Sequence, residues 1–188
     1  MKIGKWKGRI LTGAAALALA AAGAYELATK TDIFDGKMPA RVVINEEEKE
    51  LEIPAYNLAK VHPANCSKYA RMCAKKVFGK SYGFSDAWDR RYEDQLVCNA
   101  NNLEQLAEDE VLKPGMLVTW NDPESRYARG RDRSGAERNC SHVAVYVGRD
   151  SRTNELLFAE QRGWKKQVIG YSRFKSDGLT PVEVIDSK

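Results

Sequence analysis

From Leu112 to Ile185 the chain passes through five short apolar segments, each ending at turn residues, and this succession limits the fold more than any other feature. The segments L-K-P-G-M-L-V-T-W, H-V-A-V-Y-V-G, E-L-L-F-A-E-Q, K-Q-V-I-G-Y-S and P-V-E-V-I read as strands. Their short spacings, with Gly, Asp and Asn between them, predict an antiparallel meander. In the second segment Val143, Val145 and Val147 alternate with His142, Ala144 and Tyr146. A three-valine face belongs in a core, so His142 should point to the opposite side, where a helix or a cleft must lie.

Helical spacing precedes the strands. Tyr69, Ala70, Cys73 and Val77 mark an amphipathic helix over Asn65–Phe78, with Pro63 before it, Asn65 as N-cap and Gly79 as its stop. Asp86–Val97 reads as partly helical, and Asn101–Glu108 as a short helix capped by Asn101 or Asn102. Helices followed by an antiparallel sheet define an α+β domain. Arg41–Ile53 is either two short strands around an acidic turn or one strand and a solvated charge run. Asn121–Asn139 is a long polar insertion without periodicity, of a size that is usually functional or mobile.

The first residues have another purpose. Lys2, Lys5, Lys7 and Arg9 precede the uncharged run I-L-T-G-A-A-A-L-A-L-A-A-A-G-A, and Ala22-Gly23-Ala24 offers a small-residue cleavage site before Tyr25. Residues 1–24 are therefore a signal peptide or, if retained to about Ala28, a short membrane anchor interrupted by Glu26. Either form exports the remainder, with the basic end left inside. Residues 25–40 read as a linker and 41–188 as the domain. The four leader cations account for the whole formal charge of +4. The basic balance is thus targeting, and it is no argument for a nucleic-acid partner.

Cys66 stands at the front of the first helix, in N-C-S-K-Y-A-R-M-C, where the helix dipole favours thiolate over thiol. A strand-borne imidazole beside it would complete a nucleophile–base pair. With two histidines in the chain, His142 is the candidate base; His62, next to Pro63, reads as a loop residue. A third polar group should orient the imidazole. The following strand offers Glu160 and Gln161 on opposite faces, and only one of them can face the histidine.

The ordered set N-C-S-K-Y-A, L-K-P-G-M-L-V-T-W, S-H-V-A-V-Y-V-G and F-A-E-Q-R resembles the papain-like NlpC and CHAP cysteine peptidases and amidases, over about Ala55–Tyr171. The resemblance implies a papain-like fold, with the nucleophile helix packed on the sheet. It also implies Cys66 as nucleophile, His142 as general base and Glu160 as orienting residue, with Gln161 the alternate. The backbone N–H of Cys66 and the Asn65 side chain would form the oxyanion hole. Trp88 and Trp164 would floor a groove for a peptide or peptidoglycan-like substrate, although such aromatics also serve as core or rim. No cofactor or metal is implied, and the protein should act as a monomer. Two departures stand out: Met116 replaces the acid usual after Pro-Gly, and Arg162 stands where CHAP members often carry Asn.

Export permits disulfides. Cys66 and Cys73 lie about 10 Å apart along one helix, beyond disulfide reach, which leaves Cys73–Cys98 or Cys98–Cys140 as the bridge to expect. Cys140, two residues before His142, should lie near the site, where it could pair with Cys66 in an oxidised off-state. Two rivals to a hydrolase remain: a thiol acyltransferase on the same scaffold, and a membrane-tethered, disulfide-stapled binding module with a structural Cys66.

Overall fold

The computed structural model of the protein describes residues 36–55, 66–83, 95–123, 140–163 and 165–187. The leader and most of the predicted linker lie outside them, as do residues 124–139 of the polar insertion. The fold is α+β, an antiparallel sheet of eight strands with few helices.

A hairpin comes first. β1 (Gly36–Ile44) and β2 (Glu47–Ala55) pair along their whole length, from Gly36↔Ala55 to Ile44↔Glu47. The two-strand reading of Arg41–Ile53 is the one realised, but β1 begins within the stretch read as linker, and Ala40 is buried. Pro39 fits there because β1 meets a second strand only through Val42 and Val43, so its missing N–H removes no ladder bond on that edge. Helices therefore do not come first among the described elements.

α1 (Cys66–Phe78) follows and is closed by Gly79 at φ 72, a left-handed cap that favours glycine. Leu96 and Val97, expected at the end of a helix, instead open β3 (Leu96–Asn99), which pairs with the C-terminal strand. α2 (Leu103–Glu108) is capped by the Asn102 side chain, which accepts from Gln105 N–H. Next come β4 (Leu117–Asn121), β5 (His142–Asp150), β6 (Leu156–Arg162) and β7 (Lys165–Gly170), joined as successive antiparallel neighbours. Tyr171 and Ser172 do not extend β7 but begin α3 (Tyr171–Ser176). β8 (Thr180–Ile185) then breaks the meander by returning to lie between β4 and β3.

Two core layers flank the sheet. The predicted alternation of β5 holds: Val143, Val145 and Val147 enter one layer, Ala144 and Tyr146 the other. The valine layer is covered by Tyr69, Ala70, Cys73 and Ala74 of α1 and by the β1–β2 hairpin. On the histidine face, where a helix or a cleft was expected, α3 contributes Tyr171 and Phe174, while the apolar stripe of α1 takes the wide aliphatic surface of the valine side. The opposite layer is aromatic. Trp120 stacks on Phe174 at 4.0 Å between ring centroids and meets Phe158 edge-on at 5.3 Å. All three are fully buried.

Gly115 ties the turn before β4 to the valine layer. Its φ is 87, and a Cβ there would stand 2.7 Å from Phe78 Cβ, while Tyr82 Oη donates to its carbonyl at 2.7 Å. Met116 is buried in the aromatic layer.

Candidate active site

Cys66 is the first residue of the 13-residue α1, at the positive end of the helix dipole. The body of the helix covers the valine face, so only its first turn reaches the start of β5. There the sulfur meets the His142 ring and the backbone N–H groups of Val143 and Ser67. Burial alone raises the proton affinity of the thiol. The charge and hydrogen bond of His142, aided by the two N–H donors, more than offset it and hold Cys66 below its ordinary 9.0.

His142 is the first residue of β5, opposite Trp120 of β4, and is buried with its ring 6.3 Å from that of Phe174. Burial would depress its pKa. Cys66 and then Glu160 reverse this and raise it from 6.5 to about 9. The two shifts run in opposite directions from one interaction, and both favour the thiolate–imidazolium form of the pair.

Glu160 is fully buried on β6 and bonds the ring, His142 Nε2 to Glu160 Oε2 at 2.6 Å. With Nε2 engaged, Nδ1 is the nitrogen left for Cys66. Burial raises the carboxyl of Glu160, but His142, Gln167 and Arg162 together bring it below its usual value. The β5–β6 register, Val145↔Ala159 and Tyr146↔Phe158, puts even-numbered residues of both strands on the same face, so Glu160 accompanies His142. Gln161 falls on the other face, buried, with Nε2 donating to Gly163 O at 2.9 Å. Of the two alternatives, only Glu160 is placed beside the imidazole.

Asn65, Trp88 and Trp164, named from sequence for the oxyanion hole and the substrate groove, and His62, read as a loop residue, lie outside the described residues. Two residues that sequence reasoning did not assign also converge on Glu160, and a third, Asp177, backs one of them. Gln167 Nε2 donates to Oε1 at 2.5 Å, Arg162 Nε donates to Oε2 at 2.9 Å, and Asp177 holds the far side of Arg162. Two signals could have found them: Arg162 shares the Glu160 face at period two, and Gln167 is its cross-strand partner in the β6–β7 hairpin.

All four cysteines are free thiols, so neither expected bridge is formed. Cys73 lies in the valine layer and Cys98 packs against the aromatic one, which puts the sheet between them. Cys140 does lie near the site, on the helix side. Its thiol donates to His142 O at 3.3 Å, and burial followed by the Cys66 charge pushes its pKa up to about 12. Among the described residues no cluster of three or more His, Cys, Asp or Glu side chains is arranged to hold a metal ion.

The arrangement can generate a thiolate in a partly buried position, retain a proton on the adjacent ring, and hold that ring with a carboxylate from the neighbouring strand. No protein-family model, curated protein or solved structure matches the chain.

Proposed function

We propose that the protein is an exported papain-like thiol hydrolase that cleaves amide bonds, with cell-wall peptide as its substrate class. The observation that carries the reading is the position of His142 between Cys66 and Glu160, with the thiol shifted down and the imidazole shifted up. The basic, apolar leader supports export. The motif order shared with NlpC and CHAP enzymes supports the substrate class.

In this mechanism the Cys66 thiolate attacks the amide carbonyl carbon, and the carbonyl oxygen takes the negative charge. The backbone N–H of Cys66 and the Asn65 side chain are the candidates to receive that oxyanion. As the tetrahedral adduct collapses, the C–N bond breaks and His142 gives its proton to the leaving amine, leaving a thioester on Cys66. The now neutral imidazole takes a proton from water, hydroxide equivalent adds to the thioester, and the thiolate departs with the imidazolium restored. Glu160 keeps the ring aligned through both halves.

The test is wild type against Cys66→Ala on purified cell-wall peptides, with products read by mass spectrometry, and iodoacetamide alkylation of the wild type against His142→Ala. Amide hydrolysis lost in Cys66→Ala, with fast alkylation that depends on His142, is the expected result. Acyl transfer to an added amine without hydrolysis would replace hydrolase by transferase. A Cys66 no more reactive than a free thiol would overturn both.

A further inference from the structure

One oxygen atom joins two cations. Glu160 Oε2 accepts from His142 Nε2 at 2.6 Å and from Arg162 Nε at 2.9 Å. The Arg162 guanidinium is fixed at three points. Its Nε meets Glu160, its Nη1 meets Asp177 at the end of α3, and its Cζ lies 5.1 Å over the Phe174 ring. Asp177 is braced in turn by Arg173.

The chemistry gives this geometry a purpose. A fully buried carboxylate with no other cation would bind an imidazolium strongly, because the low local dielectric amplifies their attraction. A general acid held that tightly gives up its proton reluctantly, and catalytic efficiency depends on a proton affinity near the working pH. A second cation on the same oxygen withdraws part of that attraction. Resting on the thiol-hydrolase reading above, we infer that Arg162 is a positioning residue that tempers the hold of Glu160 on the His142 proton through their shared oxygen, with Asp177 limiting how far it does so.

The charged and titratable groups around this oxygen come from every side. Cys66 of α1 faces the ring, and Cys140, ahead of β5, donates its thiol proton to the His142 carbonyl. Glu160 and Arg162 belong to β6, Asp177 and Arg173 come from α3 and its cap, and β7 contributes the neutral Gln167. Glu160 is held by Gln167 and His142 even without Arg162, so loss of the guanidinium leaves its carboxylate in place and changes the charge beside it.

The measurement is an NMR titration of the His142 ring in a His62→Gln background, where it is the single histidine. Arg162→Gln should raise the ring pKa by about half to one unit, the size expected for a nearby cation partly offset by Asp177. Arg162→Lys, which keeps the charge, should recover at least half of that shift. Asp177→Asn should lower the ring pKa, since the Arg162 charge then acts undiluted. This opposite sign keeps the inference testable if Arg162→Gln does not fold. An unchanged or lowered pKa in a folded Arg162→Gln protein, or an unchanged one in Asp177→Asn, would overturn it. The ring titration needs no turnover, so a failure of the hydrolase reading would show separately, as absent hydrolysis by a wild type whose ring still responds to Arg162.

Discussion

Replacing Cys66 by alanine should lower the proton affinity of His142, although the substitution touches no atom of the ring. The imidazole is buried, and burial by itself moves its pKa below 6.5; it stands at about 9 because Cys66, ahead of Glu160, stabilises the proton. The net rise corresponds to about 3 kcal/mol at about 1.4 kcal/mol per unit. Two unit charges about 4 Å apart, at the effective dielectric of about 20 that suits protein sites, interact by about 4 kcal/mol. An interaction of that size with the thiolate is sufficient for the rise, and Glu160 adds to it against burial. The ring of Cys66→Ala should titrate about two units or more below the wild type, near the value of an unperturbed histidine. The assay is a two-dimensional NMR titration of the ring from about pH 5 to 11. The sign is fixed: a proton held by an anion is released more easily once the anion is gone. A ring that still titrates within about half a unit of 9 would show that Cys66 carries no charge beside it, and the thiolate–imidazolium pair would be refuted.

Other perturbations separate the parts of the site. Glu160→Gln should keep the ring in place yet lower its pKa by less than Cys66→Ala does, and should cost hydrolysis about a hundredfold or less, read as kcat on a cell-wall peptide. The high-pH limb of that hydrolysis should fall through about 9, because the imidazolium that protonates the leaving amine is lost there as pH rises. In the folded protein iodoacetamide should label Cys66 at neutral pH while Cys73 and Cys140 resist, both being buried with pKa values pushed up to about 12; peptide mapping before and after denaturation checks the order. Gly115→Ala should destabilise the domain by about 2–4 kcal/mol in urea melts, from a left-handed backbone together with a Cβ forced into Phe78.

Where the sequence was legible, one physical period ruled the segment. The valine alternation of β5 is a case in which a single pattern has a single structural reading, and for α2 the structure selects Asn102 from the two adjacent asparagines that could cap it. The β1–β2 hairpin stayed ambiguous because its turn is Asn45-Glu46, with φ 52 and 65, and Glu46 occupies a position where glycine usually announces such a turn. β3 was hidden because Leu96 and Val97 continue a run of helix formers, and only pairing with β8 makes them a strand. α3 begins at Tyr171, directly after β7, and its N-cap, Gly170, supplies no side-chain cap, so nothing local marks the change. The choice between Glu160 and Gln161 could not be made by counting through the β5–β6 turn. A bulge between Tyr146 and Gly148 shifts the register by one residue, and that shift exchanges the faces.

The docking of α1 across the sheet has a temporal consequence. His142 and Glu160 lie on adjacent strands of one hairpin and meet as soon as β5 and β6 zip together, a local event. Cys66 arrives only when α1 settles on the valine layer, through contacts that span most of the domain. An unfolded chain therefore carries an ordinary thiol, and the lowered one requires α1 to be docked beside His142. The proposed thiol chemistry is in this way confined to molecules in which α1 has docked on the sheet, and the rate of Cys66 alkylation during refolding should mark the moment at which helix and sheet come together.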